Sequence, residues 1–179
     1  MRIFIGIPFS EDIRKSLIDV QSSIQLISGK SKNTDEENLH LTLLFIGELD
    51  FNQVEELHCS LSALLNNVSY IKTKLTRINY FEKGNKKIVW VGIDDEKLIM
   101  QKLATNIKHA VEKLNIEVDQ RPFKAHITLS REVDKLDIAR LSQIEIPDKD
   151  LCIKQVIIYQ STRINGKLTY LPLYTYPLR

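Results

Sequence analysis

Two stretches of this sequence combine residue types suited to proton transfer with a spacing that could align them: His40-Leu41-Thr42-Leu43 and His126-Ile127-Thr128-Leu129. On an extended strand, side chains two residues apart share a face, about 6.6 Å apart along the chain. Each phrase therefore offers an imidazole beside a hydroxyl. Leu41 and Leu43, or Ile127 and Leu129, turn to the other face, where apolar cover holds the strand in place. Thr makes up 9 of the 179 residues. From composition alone, the probability that two of the four His each carry a Thr two positions on is therefore roughly 0.015. A single His-x-Thr reads best as a packed imidazole bonded to a neighbouring hydroxyl. Two matching copies reverse that preference.

Two histidines facing one cleft can divide general-acid and general-base duty, because an ordinary pKa near 6.5 lets small shifts keep one neutral and the other charged. In-line displacement at phosphorus needs this pairing: a nucleophile loses a proton on one side while an alkoxide gains one on the other. Each transfer is worth about 10² to 10⁴ in rate. Thr42 and Thr128 can donate hydrogen bonds to the non-bridging oxygens, where charge must be stabilised. Metal chemistry ranks behind this reading. His-x-Thr is a ligand-poor spacing, neither phrase contains a carboxylate, and HExxH is absent.

Arg121-Pro122-Phe123-Lys124 precedes the second phrase and Arg131 follows it. Arg131, at the strand end, can clamp a phosphate in a bidentate manner; the competing reading, of equal weight, is a solvated surface Arg. Lys124 and Phe123 are candidate RNA contacts, Phe123 through base stacking, although such an aromatic is more often core. Between residues 72 and 87 six cations face Glu82 alone, a local charge of +5. That run suits an RNA strand, and more commonly a solvated edge. His58 and His109 lie on helical stretches and receive no role.

The phrases begin at residues 40 and 126, about half a chain-length apart, which predicts a duplicated strand-helix-strand unit. Residues 2–8 read as a strand. Ser10-Glu11-Asp12 starts a helix whose apolar residues Ile13, Leu17, Val20, Ile24 and Ile27 step by four and three, with Gly29 placed to end it. Residues 28–38 read as a polar loop leading to the first histidine strand, 39–46. Asn52 is placed to cap a second helix carrying Val54, Leu57, Leu61, Leu64 and Leu65, with a left-handed exit at Asn66-Asn67. A strand region 68–81, a turn at Lys83-Gly84-Asn85-Lys86 and a strand 87–93 follow. Asp94 or Asp95 caps a third helix, and a strand spans 125–130. A short helix near 134–142, a long strand 151–162, an Asn165-Gly166 hairpin turn and a last strand 168–176 complete the chain.

The chain is long enough, with 43% hydrophobic residues, for one two-lobed domain, its halves at about residues 1–85 and 86–179, between which strands can exchange. A net charge of +2 excludes a polybasic nucleic-acid coat, so an anionic ligand must be caught locally. The sequence lacks an apolar run of membrane-spanning length, and its opening residues lack a signal peptide's layout. A cytoplasmic monomer with two buried free thiols, Cys59 and Cys152, is the expectation.

These motifs resemble the 2H phosphoesterase superfamily, particularly its RNA 2′,3′-cyclic phosphodiesterase branch, also called 2′-5′ RNA ligases. The likeness is carried by Glu37-Asn38-Leu39-His40-Leu41-Thr42-Leu43 with Gly47-Glu48, by Arg121-Pro122-Phe123 with His126-Ile127-Thr128-Leu129 and Arg131, and by the opening Arg2-Ile3-Phe4-Ile5-Gly6-Ile7. The resemblance implies an α+β fold, bilobal with a pseudo-two-fold axis. Two antiparallel-rich sheets with outer helices would flank a central cleft. It implies no metal and no cofactor, His40 as proton donor to the leaving ribose oxygen, His126 as the base that activates water, and Thr42, Thr128 and Arg131 as phosphate binders. The implied substrate is RNA with a 2′,3′-cyclic phosphate end, or a cyclic nucleotide, opened to a 2′-phosphomonoester. Ala125 in place of a common proline, Ser130 in place of a smaller residue and the missing tryptophan ahead of the first motif touch loop shape and base contacts. The reverse joining of RNA ends through a 2′-5′ linkage stays open, as does a nucleotide- or RNA-binding module without turnover. The residues alone treat the two histidines symmetrically.

Overall fold

A computed structural model describes residues 1–95 and 97–179. In chain order the elements are β1 (Arg2–Pro8), α1 (Glu11–Gln25), β2 (Lys32–Asn33), β3 (His40–Glu48), α2 (Phe51–Leu65), β4 (Ile71–Lys83) and β5 (Lys86–Ile93). They continue with α3 (Ile99–Glu112), β6 (His126–Val133), α4 (Ile138–Leu141), β7 (Asp150–Ile153), β8 (Gln155–Ile164) and β9 (Lys167–Pro177). The strands run in the order β7-β4-β5-β6-β3-β1-β8-β9, with the short β2 on β6, and each pairing is antiparallel.

That order is a palindrome of topology. The pair β5 and β6, joined through α3, mirrors β1 and β3, joined through α1, and the two halves meet where Leu41 of β3 faces Ile127 of β6. The central residues of the two phrases thus touch, and on antiparallel count His40 lies toward Thr128 and Thr42 toward His126. Helices α1, α2 and α3 place Leu17, Ile24, Leu57, Leu61, Ile107 and Val111 in one large core, with Ile3, Ile5 and Ile7 of β1 and Val89 and Val91 of β5 from the sheet. Among the described residues, no helix is long and apolar enough to cross a membrane.

Several elements depart from the sequence-based expectation. The long strand expected over 151–162 is broken at Lys154: β7 pairs with β4 at one edge, and β8 pairs with β1 on the other side. The burial record explains the break, because Leu151 and Ile153 are buried in alternation and the phase then slips to Val156, Ile157 and Ile158. Helix α2 is capped by Asp50 rather than Asn52; Asp50 accepts from the Gln53 N–H while the Gln53 side chain accepts from the Asp50 N–H, a reciprocal box two residues ahead of the expected cap. Its exit at Asn66 is right-handed, and the Asn66 carboxamide oxygen instead accepts from Arg179. Helix α1 ends at Gln25, well before Gly29, and the short helix over 134–142 is one turn, Ile138–Leu141. For α3, Asp95 serves, accepting from the N–H groups of Met100 and Gln101. The polar loop 28–38 contains β2 and a 3₁₀ turn, Glu36–Asn38. Cys59 and Cys152 are exposed rather than buried, since Cys152 turns outward between Leu151 and Ile153 and Cys59 lies off the apolar stripe of α2.

Candidate active site

Both histidines stand at the first residue of their strands, half-buried, with Leu41 and Ile127 fully buried on the opposite face. The same local device orients each ring. His40 Nδ1 lies 2.7 Å from the Asn38 carbonyl, and His126 Nδ1 lies 2.7 Å from the Lys124 carbonyl. A carbonyl can only accept, so Nδ1 carries the proton in both rings and a neutral imidazole leaves Nε2 as the acceptor. In His40 that nitrogen accepts from the Thr42 hydroxyl at 2.8 Å. Asn38 is itself buried and donates through Nδ2 to the Leu168 carbonyl at 2.9 Å, which ties the support of His40 to the β8–β9 hairpin.

The surroundings of the rings differ. Phe4, Tyr159 and Tyr170 enclose His40, with ring centroids at 4.9, 6.3 and 5.1 Å. Burial in this aromatic wall pushes the His40 pKa down to about 4; the Asn38 carbonyl opposes the shift, and the charges of Arg131 and His126 add to it. His126 meets Phe81 and Trp90 edge-on at 5.1 and 5.8 Å. The Lys124 ammonium sits 4.3 Å over the Trp90 ring and 5.0 Å over Phe81. Burial lowers the His126 pKa, and the Lys124 and Arg131 cations lower it further against the pull of the Lys124 carbonyl.

A cavity of about 240 Å³ joins these parts, lined by His40, Thr42, His126, Thr128 and Arg131. The two phrases and Arg131 thus come together in one place. Arg131, exposed, has no ion-pair partner among the described residues, and its charge is felt by both imidazoles and by Tyr170. Phe123 is half-buried and packs against the main core, whereas Lys124 holds its carbonyl and its ammonium on two sides of His126. A larger cavity of about 350 Å³, between β4 and the α4 region, has no histidine or carboxylate among the described residues of its lining. Among the described residues, no group of three His, Cys, Asp or Glu side chains is placed to hold a metal ion. His58 stacks on Tyr174 and bonds the Tyr176 hydroxyl, in a cluster on α2 and β9, and is not among the residues lining the cleft.

The second strand is braced from behind. Thr34 donates to the Thr128 carbonyl at 2.9 Å, Ser130 donates to Asn33 at 3.0 Å, and the buried Gln21 carboxamide donates to both the Thr34 and Leu129 carbonyls at 2.8 Å. Sequence reasoning missed this brace, the aromatic wall of His40 and the seat of Lys124. Only Trp90 carried a local signal, since it shares a face with Gly92, the residue opposite His126.

Residues 12–156 match the model of the 2′-5′ RNA ligase superfamily. This chain belongs to that superfamily. Relatives include the RNA 2′,3′-cyclic phosphodiesterase of Archaeoglobus fulgidus, 30% identical over 73% of this chain and 72% of the relative. That of Thermotoga maritima is 25% identical over 90% and 87%. Among solved structures, TT0787 of Thermus thermophilus aligns over 100% of this chain and 98% of its own at a TM-score of 0.81 with 23% identity. LigT of Escherichia coli aligns over 99% and 96% at 0.78 with 22% identity, and the two structures share the fold described above.

Proposed function

We propose that the protein is a metal-independent hydrolase that opens the 2′,3′-cyclic phosphate at the end of an RNA or on a nucleotide to a 2′-phosphomonoester. The observation that carries this reading is the pair of imidazoles. Each has its Nδ1 proton fixed on a backbone carbonyl, so each directs Nε2 into one cavity that also holds an unneutralised Arg131. The relatives named as RNA 2′,3′-cyclic phosphodiesterases support the same choice of substrate.

In this reaction His126 Nε2 removes a proton from water as its oxygen bonds to phosphorus. The bond from phosphorus to the 3′ oxygen breaks, and that oxygen leaves with a proton from His40 Nε2. The phosphate stays on the 2′ oxygen. Thr42, Thr128 and Arg131 hold the non-bridging oxygens as charge builds on them. The division between His40 as acid and His126 as base follows the family resemblance. In the free protein His40 is the ring held neutral more strongly, down to about 4. The acid role therefore requires that His40 take up a proton from solvent as the phosphate binds, which the anion's charge beside Nε2 favours.

The test is turnover of a short RNA ending in a 2′,3′-cyclic phosphate, in EDTA, with the product's phosphate position read by phosphorus NMR. Wild type should give a 2′-phosphate. His40→Ala and His126→Ala should each lose about 10² to 10⁴ in kcat. Wild-type rates in either variant, or loss of turnover in EDTA with recovery on adding a divalent ion, would overturn the metal-free acid-base pair.

A further inference from the structure

The cavity that holds both histidines carries more positive charge than a cyclic phosphate can use. Its lining also includes Lys32, Asp35, Arg163 and Lys167. A 2′,3′-cyclic phosphate is a diester with a single negative charge, which Arg131 alone can match. Lys167 is already engaged, 3.3 Å from Glu37 and 4.0 Å from Asp35, and among the described residues Asp35 is the only carboxylate in the lining. Lys32 has no ion pair among the described residues, and the Arg163 guanidinium donates to the Gly166 carbonyl at 2.7 Å without a carboxylate partner. Two cations are therefore left over.

Both are set by backbone structure rather than carried on free loops. Lys32 lies in β2 directly opposite Arg131 of β6, so the two stand side by side at the end of the second histidine strand. Arg163 is near the end of β8, on the hairpin that returns into β9, and that hairpin is anchored by Asn38 on the Leu168 carbonyl and by Lys167 on Asp35 and Glu37. One anion at Arg131 and another between Lys32 and Arg163 would give each of these three cations a counter-charge and lower their sum from +3 to +1. Successive phosphates of an RNA strand supply that pattern, and a groove of fixed cations is how a strand's backbone is followed.

We propose that Lys32 and Arg163 form a second anion subsite, which takes the phosphodiester on the 5′ side of the terminal nucleotide and makes RNA ends better substrates than cyclic mononucleotides. The inference rests on the hydrolase reading above and names its substrate class. The experiment compares kcat/KM for three substrates: 2′,3′-cyclic AMP, the dinucleotide ApA ending in a 2′,3′-cyclic phosphate, and that dinucleotide with an uncharged methylphosphonate linkage. Wild type should prefer the charged dinucleotide over the mononucleotide by about tenfold to a hundredfold, the range of charge-assisted hydrogen bonds. The methylphosphonate should lose that preference. Lys32→Gln and Arg163→Gln, both at exposed positions, should bring the ratio of dinucleotide to mononucleotide toward one, and Arg163→Lys should restore part of it.

Equal kcat/KM for the three substrates in wild type overturns the subsite and leaves the hydrolase reading standing. A preference that survives the methylphosphonate assigns the gain to the second nucleoside and also overturns it. A preference that survives both Gln variants overturns these two residues as its source. No turnover of any substrate overturns the hydrolase reading, and the subsite with it.

Discussion

Gly6 is the residue at which the backbone of β1 comes closest to the His40 ring, and replacing it with alanine should impair the proposed role of His40 with little effect on stability. Gly6 shares the cleft face of β1 with Phe4 and pairs with Thr42. A Cβ at this position would stand 3.1 Å from the Leu41 carbonyl oxygen, 3.2 Å from His40 Cδ2 and 3.3 Å from Phe4 Cε2. Comfortable carbon contacts lie near 3.5–4.0 Å, so relief requires about 0.3–0.5 Å of movement. The Leu41 oxygen belongs to a paired strand, and Phe4 is 1% exposed with no space behind it. The imidazole, which turns about two side-chain bonds, is the group that gives way. A displacement of about 1 Å costs about 10² in rate, so this smaller one should lower kcat about three- to tenfold in Gly6→Ala. Overpacking at about 1–2 kcal/mol is partly offset by about 0.5–1 kcal/mol from the stiffer unfolded chain, so the unfolding midpoint in urea should move little. The parallel variant Gly92→Ala is the control. Its Cβ would meet the Thr76 hydroxyl, which can rotate away, and the next atom, Trp90 Cζ3, is at an ordinary 3.5 Å. The assay is kcat for cyclic-phosphate hydrolysis in both variants, with the His40 ring signals followed by NMR. Full kcat in Gly6→Ala with unshifted His40 signals would refute the claim that contact with β1 places the ring.

Three further outcomes follow from the same interactions. His40, with its folded-state pKa lowered to about 4 from 6.5, binds its proton in the unfolded chain first, so stability is fully present above pH 6.5 and is lost as pH falls toward 4. At about 1.4 kcal/mol per pH unit the loss is about 3 kcal/mol, and urea titrations of wild type against His40→Phe should show it; parallel pH dependences in the two would contradict it. Gln21→Leu leaves the Thr34 and Leu129 carbonyls without their shared donor and should cost about 2–4 kcal/mol in urea unfolding, whereas an unchanged midpoint would mean the brace behind β6 contributes nothing. Lys124→Gln removes a cation that lowers the His126 pKa, so an NMR titration should find His126 titrating at higher pH than in wild type; a value moved downward would show that loss of cover over Trp90 and Phe81 dominates.

The placement of the two His-Thr pairs was more legible in the sequence than the walls around them. Period-two alternation placed His40 and Thr42 on one face and Leu41 and Leu43 on the other, because a strand buried on one side leaves a residue no third option. Helical spacing located the buried stripes of α1 and α2 for the same reason. The local errors came from reading one rule where another applied. Asp50 and Gln53 form a reciprocal box that was visible in the sequence, and the slip of apolar phase after Ile153 marked the break at Lys154. The outward direction of Cys152, between two buried neighbours, was equally visible. What could not be read was long-range: Phe4, Tyr159 and Tyr170 reach His40 from three different strands, and the carbonyls that fix both Nδ1 protons depend on backbone angles that no side-chain pattern encodes. The cations Lys32 and Arg163 approach Arg131 only once β2 lies on β6 and the last hairpin folds back over the cleft.

Those long-range neighbours also explain how one phrase, written twice, gives two unequal histidines. The strand order around the Leu41–Ile127 contact is symmetric, and so is the bond that fixes each Nδ1. Symmetry ends at the next layer. On the first side β1, β8 and β9 supply an uncharged aromatic wall, and the His40 Nε2 is engaged by Thr42. On the second, β4 and β5 supply Phe81 and Trp90 as a seat for the Lys124 cation, and His126 Nε2 has no bond to another described side chain. Loss of water is the main cause at both rings and the Arg131 charge acts on both, but only His126 has the Lys124 cation in addition. Both rings are thus shifted in the same direction, toward the neutral form. Arg131 lowers both pKa values in the free protein, and an anion bound to it cancels that contribution at both rings together. On the proposed mechanism, proton uptake is thereby coupled to the arrival of phosphate, and the pair would become competent for transfer when there is a phosphorus centre to act on.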